Sequence, residues 1–301
     1  MNDTIYEKYK QAGAIAAEIR TYGAQLIKPG TLFLDVAEKI EEKIKEKGAF
    51  PAFPVNLSRN EIAAHYSPRH DDHSIFNRGD VVKLDVGVHV DGYIADTAVT
   101  IELETNKYDD MIQASHEALE AAIGTIKADV NLQDIGSVIH KVITSHGYRP
   151  IENLTGHSLH QYELHAGLSI PNIPTAMGRR RPQVDDVVAI EPFATNGHGQ
   201  VIAGEGSNIF LCNDSVKARL VRDTGAKKLY EYIWKTFQTL PFAQRWVHNE
   251  VSNSSRSLRK LSFLGLIKHY PQLIERQHGM VTQEEHTVII TEEGCEVTTA
   301  L

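Results

Sequence analysis

An Asp-Gly pair lies between two apolar runs, Lys83-Leu-Asp-Val-Gly-Val-His-Val90 and Tyr93-Ile-Ala-Asp-Thr-Ala98. Asp91 and Gly92 both tolerate positive φ, so they suit the two-residue turn of a tight hairpin. Such a turn fixes the register of both strands. Val90 faces Tyr93, Gly87 faces Asp96, and Asp85 faces Ala98. Asp85 and Asp96 then share one face on a diagonal, with roughly 7–8 Å between backbones. Leu84, Val86, Val88 and Val90 form the opposite, apolar face, which suits a core. Gly87, opposite Asp96, leaves room beside the acids. Two unpaired carboxylates in such a hairpin would cost on the order of several kcal/mol, and a cation is their natural partner. A lysine or arginine from elsewhere in the chain would also serve.

Helical periodicity runs through residues 3–27, with Ile5, Ala12, Ile15, Ala16, Ile19 and Leu26 among charges. Pro29-Gly30 ends that helix, and Thr31 is the expected N-cap of a second one reaching Lys47. The proline-punctuated stretch from Phe50 to Leu57 reads as a pocket wall or edge strand. Helices are expected over 107–127 and 132–146, and strands over 186–195, 199–212, 285–291 and 295–299. Long helices alternating with strands and hairpins indicate a mixed α/β or α+β domain, and 301 residues suffice for a sizeable core. Residues 216–272 differ in texture, carrying helix formers and basic residues such as Lys217, Arg219, Lys227, Lys228, Arg256, Arg259 and Lys260. No strand pattern is evident there before Val281, so this stretch reads as a helical insert between a first part, 1–215, and final strands, 273–301.

The net charge of −8 gives no basic field for nucleic acid, so no direct nucleic-acid binding is expected and the insert's basic residues read as a solvated face. Cys212 and Cys295 form neither a disulfide framework nor a cysteine zinc site. The first residues lack a secretion signal, and no apolar run is long enough to span a membrane. The expectation is a cytoplasmic protein with no membrane partner, monomeric by default.

Three further segments carry chemistry. Thr155-Gly-His157-Ser and Leu164-His165-Ala-Gly167 place two histidines in a glycine-bearing stretch, where imidazole serves as metal ligand or acid/base group. Val187-Val-Ala-Ile-Glu191-Pro192 is an apolar strand ended by one acid, with Pro192 biasing Glu191 to extended geometry. Gln283-Glu284-Glu285-His286-Thr-Val-Ile-Ile290 opens a third such strand. Only one of Glu284 and Glu285 can share the face of Thr287 and Ile289; parity selects Glu285 if that face is inward. Asp85, Asp96, Glu191 and Glu285 sum to −4, matching two divalent cations. With His157 the set is oxygen-rich with one imidazole, which suits Mn, Fe, Co or Zn. A metal pair that activates water and polarises a carbonyl performs hydrolysis.

At these residues the chain resembles the type II methionine aminopeptidases in their short, archaeal form. The resemblance runs along nearly the whole sequence, through Ala52-Phe-Pro54, Ile62-Ala-Ala-His65-Tyr66, Asp85-Val-Gly-Val-His89, Ile94-Ala-Asp96-Thr-Ala98, Gly156-His157, Leu164-His-Ala-Gly167, Ile190-Glu191-Pro192 and Glu285-His-Thr287. It implies the pita-bread (creatinase/aminopeptidase) fold, an α+β architecture with a curved antiparallel sheet flanked by helices. The long helical stretch between Glu191 and Glu285 matches type II. By motif, Asp85 would chelate one metal, Asp96 and Glu285 would bridge two, and His157 and Glu191 would complete the coordination of the second metal. The resemblance also selects Glu285 over Glu284. His65 and His165 match the non-ligand histidines that touch substrate. Phe53 and Leu164 would wall the methionine side-chain pocket.

The implied reaction removes the initiator methionine from peptides and nascent proteins whose second residue is small. Glu191 would shuttle the proton while His165 supports the tetrahedral intermediate. Ribosome association is compatible with such substrates. Two other readings use the same residues: an Xaa-Pro peptidase of the same fold, and a non-catalytic relative that binds ribosomes or nucleic acid. The first normally carries an extra amino-terminal domain, for which the position of Asp85 leaves little room. The second would be expected to have lost ligands.

Overall fold

The computed structural model describes residues 1–175, 181–213 and 221–301. Two layers of helices pack on a curled antiparallel sheet whose halves meet between residues 96–100 and 283–287. In the first half the hairpin Val81–Val90/Tyr93–Glu102 has the expected register, with Gly87 opposite Asp96 and Asp85 opposite Ala98. Its turn residues adopt positive φ, 50° at Asp91 and 85° at Gly92. Leu84, Val86 and Val88 are buried under helices Asp3–Leu26 and Phe33–Glu46. The first helix sits close to the sheet because its inner face is small: Ala12, Gly13, Ala16 and Gly23 are buried. A Cβ on Gly13 would overlap the Thr298 carbonyl.

Thr31 is not the N-cap of the second helix. Leu32 holds that position without a side-chain bond, while the Thr31 hydroxyl donates to the Lys28 carbonyl at 2.7 Å. The hydroxyl therefore closes the preceding Pro-Gly turn instead. The stretch 50–57 takes both expected roles. Phe50–Pro51 pairs at the edge with Val88 and His89, and Asn56–Arg59 pairs with Val82–Asp85.

In the second half, helices Asp109–Ile123 and Leu132–Ser145 cover a five-stranded sheet. There Val187–Ile190 lies between His286–Ile290 and Thr155–Ser158. The expected strand 186–195 is broken at Glu191-Pro192 and resumes as Phe193–Thr195 in another sheet. The halves are stitched by backbone and threonine bonds. Glu285 and Ala98 form an antiparallel bridge. The Thr287 hydroxyl accepts from Asp96 N and donates to Asp96 O, both at 2.8 Å. The Thr100 hydroxyl bonds Gln283 in the same two-way fashion, accepting from its N and donating to its O.

Helices Thr224–Phe237 and Ser254–Phe263 enclose their own core, with Leu229, Tyr230, Ile233, Leu258 and Leu261 packed on Phe210 and Phe242. The expected insert boundary at 216 and the basic residues Lys217 and Arg219 lie outside the described residues. At its other end the helical stretch stops earlier than expected. Ile267–Glu275 is a strand between Val201–Cys212 and Ile62–Ala64. Its pattern was concealed by Pro271, which has no N–H for the ladder and lies where the register shifts. No helix among the described residues is long and apolar enough to cross a membrane.

Candidate active site

One cavity at the seam of the two halves is lined by Asp85, Asp96, His157, Glu191 and Glu285, with His65 and His165 beside them. The hairpin supplies both aspartates on one face because its register is fixed by the Asp-Gly turn. His157 comes from strand Thr155–Ser158, where it sits opposite Ala189. Glu191 follows the end of Val187–Ile190, and its carbonyl accepts from Asn172 Nδ2 at 3.2 Å. Glu285 is placed by its bridge to Ala98, immediately across from Asp85's partner position.

Asp96, His157 and Glu285 each bring a ligand atom within 4.8 Å of the others, and all three are buried. His157 Nε2 lies 3.7 Å from Asp96 Oδ2 and 3.8 Å from Glu191 Oε1. Asp85 Oδ1 and Asp96 Oδ1 are buried without a hydrogen-bond partner. Among the described residues no lysine or arginine forms a salt bridge with any of the four acids. Burial pushes the Asp85 carboxyl up to about 7. Burial, then the neighbouring charges of Asp85 and Glu191, raises Asp96 well above the carboxylate range. Glu191 and Glu285 are raised by burial first and then by the other acids. Four acids that cannot all ionise alone, with orphaned oxygens and one imidazole nitrogen among them, fit divalent cations of the borderline class.

Burial disfavours the charged form of both flanking histidines. Burial lowers His65 to about 4 and also lowers His165. His65 Nδ1 lies 3.3 Å from the Pro271 carbonyl, which can only accept, so Nδ1 carries the proton and Nε2 a lone pair. His65 adopts φ 67°, an uncommon conformation for a residue with a side chain, and packs edge-on against Tyr270. The His165 ring is centred 4.3 Å from that of His157. Phe53 and Leu164 line the cavity with Ile209 and Pro241.

One expectation changes. The room beside Gly87 is occupied by the Phe53 ring, which a Cβ there would overlap. Glu284 is half-buried, accepts from Thr100 N at 3.1 Å, and is raised by burial to about 7. Sequence reasoning also missed residues that shape the site. Thr287 anchors the Asp96 backbone, and Gln283 Nε2 donates to Glu285 Oε2 at 3.2 Å. Asn56 and Tyr270 line the cavity too. Asn56 was signalled only by its pairing with Asp85, which needs the strand register to be seen.

A model of metallopeptidase family M24 matches residues 7–292. A methionine aminopeptidase of Methanocaldococcus jannaschii is 48% identical over 298 residues, covering 98% of each chain. Among solved structures, that of a thermophilic Arx1 is similar with a TM-score of 0.85 at 18% identity, covering 99% of this chain and 91% of the other. A methionine aminopeptidase from Thermotoga maritima gives 0.72 at 23% identity, covering 100% and 98%. At those identities the two structures establish the fold alone.

Proposed function

The chain belongs to metallopeptidase family M24, and from that premise we propose that it is a metallo-aminopeptidase that removes the initiator methionine from peptides and nascent proteins. The relatives carrying that name are 42–48% identical over nearly the full length. The observation that carries the reading is the cavity in which five ligand-type side chains and two further histidines face an apolar wall.

A divalent cation belongs to a metallopeptidase site. We assign two here, held by Asp85, Asp96, His157, Glu191 and Glu285, with Co, Mn, Fe or Zn suited to the donor set. Bound there, they supply Lewis-acid polarisation of the scissile carbonyl and lower the pKa of water. Glu191 takes the proton of the attacking water and returns it to the leaving amine. His165 stabilises the charge that develops on the carbonyl oxygen. His65 offers its Nε2 lone pair to the N–H of the second residue. Phe53 and Leu164 hold the methionine side chain, and a confined site admits a small second residue such as Gly, Ala or Ser.

The proposed division is a catalytic unit, 1–215 with 273–301, and an insert, 216–272, whose last residues from Ile267 already belong to a strand paired with the catalytic unit. The helices Thr224–Phe237 and Ser254–Phe263 support the insert, and Pro241, between them in the chain, borders the cavity. Cytoplasmic residence, a monomeric state and association with the ribosome, where such substrates emerge, belong to the same proposal.

The test is methionine release from Met-Ala-Ser and Met-Leu-Ser, metal-loaded and chelated, with an Xaa-Pro dipeptide alongside. Chelator-sensitive cleavage of Met-Ala-Ser alone is expected. Equal cleavage of both tripeptides would remove the small-residue rule. Cleavage of only the Xaa-Pro substrate would move the protein to the prolidase branch, and no cleavage with any divalent ion would favour a binding role.

A further inference from the structure

Resting on the aminopeptidase reading, we propose that Asn56 is a substrate-positioning residue whose Oδ1 accepts a hydrogen bond from the α-amino group of the peptide. Asn56 is 3% exposed, lines the cavity, and pairs with Asp85 across the strands, so its side chain shares the face of that acid. Its amide orientation is fixed, because Nδ2 donates to the Pro54 carbonyl at 3.1 Å. Oδ1 therefore points away from that contact, and it is a buried acceptor with no partner. An acceptor left in that state costs folding energy unless a ligand satisfies it.

The chemistry of the substrate narrows the partner. Within an amino-terminal methionine the carbonyl and thioether are acceptors, and the α-amine is the only hydrogen-bond donor. The remaining nearby donor, the N–H of the second residue, is on the scissile bond itself and is the one offered to His65. Phe53 lies three residues before Asn56, and its ring rests on Gly87, the next position along the face from Asp85. A methionine side chain held against Phe53 brings its own α-amine to the Asp85–Asn56 pair. The contact exists in the bound substrate and persists in the transition state, so it belongs to binding rather than to the chemical step.

The test compares wild type with Asn56→Leu, which keeps the volume and removes the acceptor, and with Asn56→Ala, which adds no bulk should the leucine variant fold poorly. Calorimetry would measure L-methionine and its desamino analogue, 4-(methylthio)butanoate, on the metal-loaded proteins, with metal affinity titrated separately. The expected result is about tenfold weaker methionine binding and a similar rise in KM for Met-Ala-Ser, with kcat nearly unchanged. Affinity for the desamino compound and for metal should stay the same. Equal weakening of both compounds would overturn the proposal and make Asn56 a pocket wall. Weakened metal binding would overturn it in favour of a ligand role, and no change in either compound would also sink it. Absence of methionine release by the wild-type enzyme would instead remove the underlying reading, and this inference with it.

Discussion

A buried ion pair joins the segment that carries Arg245 to helix Phe33–Glu46, and its strength can be measured. Arg245 and Glu41 have side chains only 3% and 5% exposed. The Glu41 carboxylate also accepts from Val55 N at 3.2 Å and from Trp246 Nε1 at 2.7 Å. Arg245 donates further to Ser67 Oγ at 2.8 Å and to the Pro68 carbonyl at 2.7 Å. Glu41→Gln keeps an acceptor for only one of Val55 N and Trp246 Nε1, which bond different carboxylate oxygens, and it strands a buried guanidinium, which costs about 3–5 kcal/mol. Arg245→Met strands the carboxylate at a similar cost. The double variant removes both charges. It loses the bonds to Ser67 and Pro68 and leaves one N–H without its acceptor, so about 2–4 kcal/mol is expected. The cycle therefore predicts a coupling of at least about 2 kcal/mol. Urea unfolding followed by circular dichroism gives the stabilities, and fluorescence of Trp246, in the interface itself, reports whether the insert detaches first. An additive cycle, with the double variant as unstable as the two single costs combined, would refute the reasoning.

Three other outcomes follow from the same geometry. Asp85, Asp96, Glu191 and Glu285 all have folded-state pKa values above their ordinary range, Asp85 at about 7, so in the chelated protein their contribution to stability is complete below about 4 and is lost as pH rises toward and past 7. Melting curves should show the chelated protein weakening over that window and the metal-loaded protein not; equal stability of the chelated form at pH 5 and 8 would contradict this. Burial alone would raise the Glu275 carboxyl, but N–H groups of Gly279, Gln277, His198 and Gly199 overcome it and hold it below its ordinary 4.5, so its contribution is present above that value and lost as pH falls through the lowered one. Glu275→Gln should cost about 2–3 kcal/mol near neutrality and flatten the acid limb of the stability profile, both readable by denaturant titration. Gly87→Ala places a methyl in the Phe53 ring; an overpacking cost of about 1–3 kcal/mol and a KM for Met-Ala-Ser raised about tenfold are expected, and unchanged kinetics would show that Phe53 does not wall the substrate pocket.

The hairpin and its two acids were determined by sequence, because a two-residue Asp-Gly turn leaves a single register and the side-chain period of two then assigns the faces. The helices at 3–26, 109–123 and 132–145 were legible for the same kind of reason, since an amphipathic stripe is a local pattern. Strand Ile267–Glu275 was not legible. It mixes lysine, histidine and a mid-strand proline, and it is a strand only because Val201–Cys212 and Ile62–Ala64 lie on either side of it. Thr31 was misplaced because a threonine after Pro-Gly can close one turn or cap the next helix, and the Lys28 carbonyl decided. In the site, local sequence could nominate acids but could not tell a metal-type carboxylate from a paired one. That distinction rests on the absence of any lysine or arginine salt bridge to them among the described residues, and on Asp96, His157 and Glu285 converging from three separate strand segments. Phe53 filling the space over Gly87, Glu284 bonded to Thr100 N and Asn56 left with an unpartnered oxygen are likewise facts of the tertiary structure. Each depends on which side chains distant in the chain arrive at one point, and a pattern confined to neighbouring residues does not encode that.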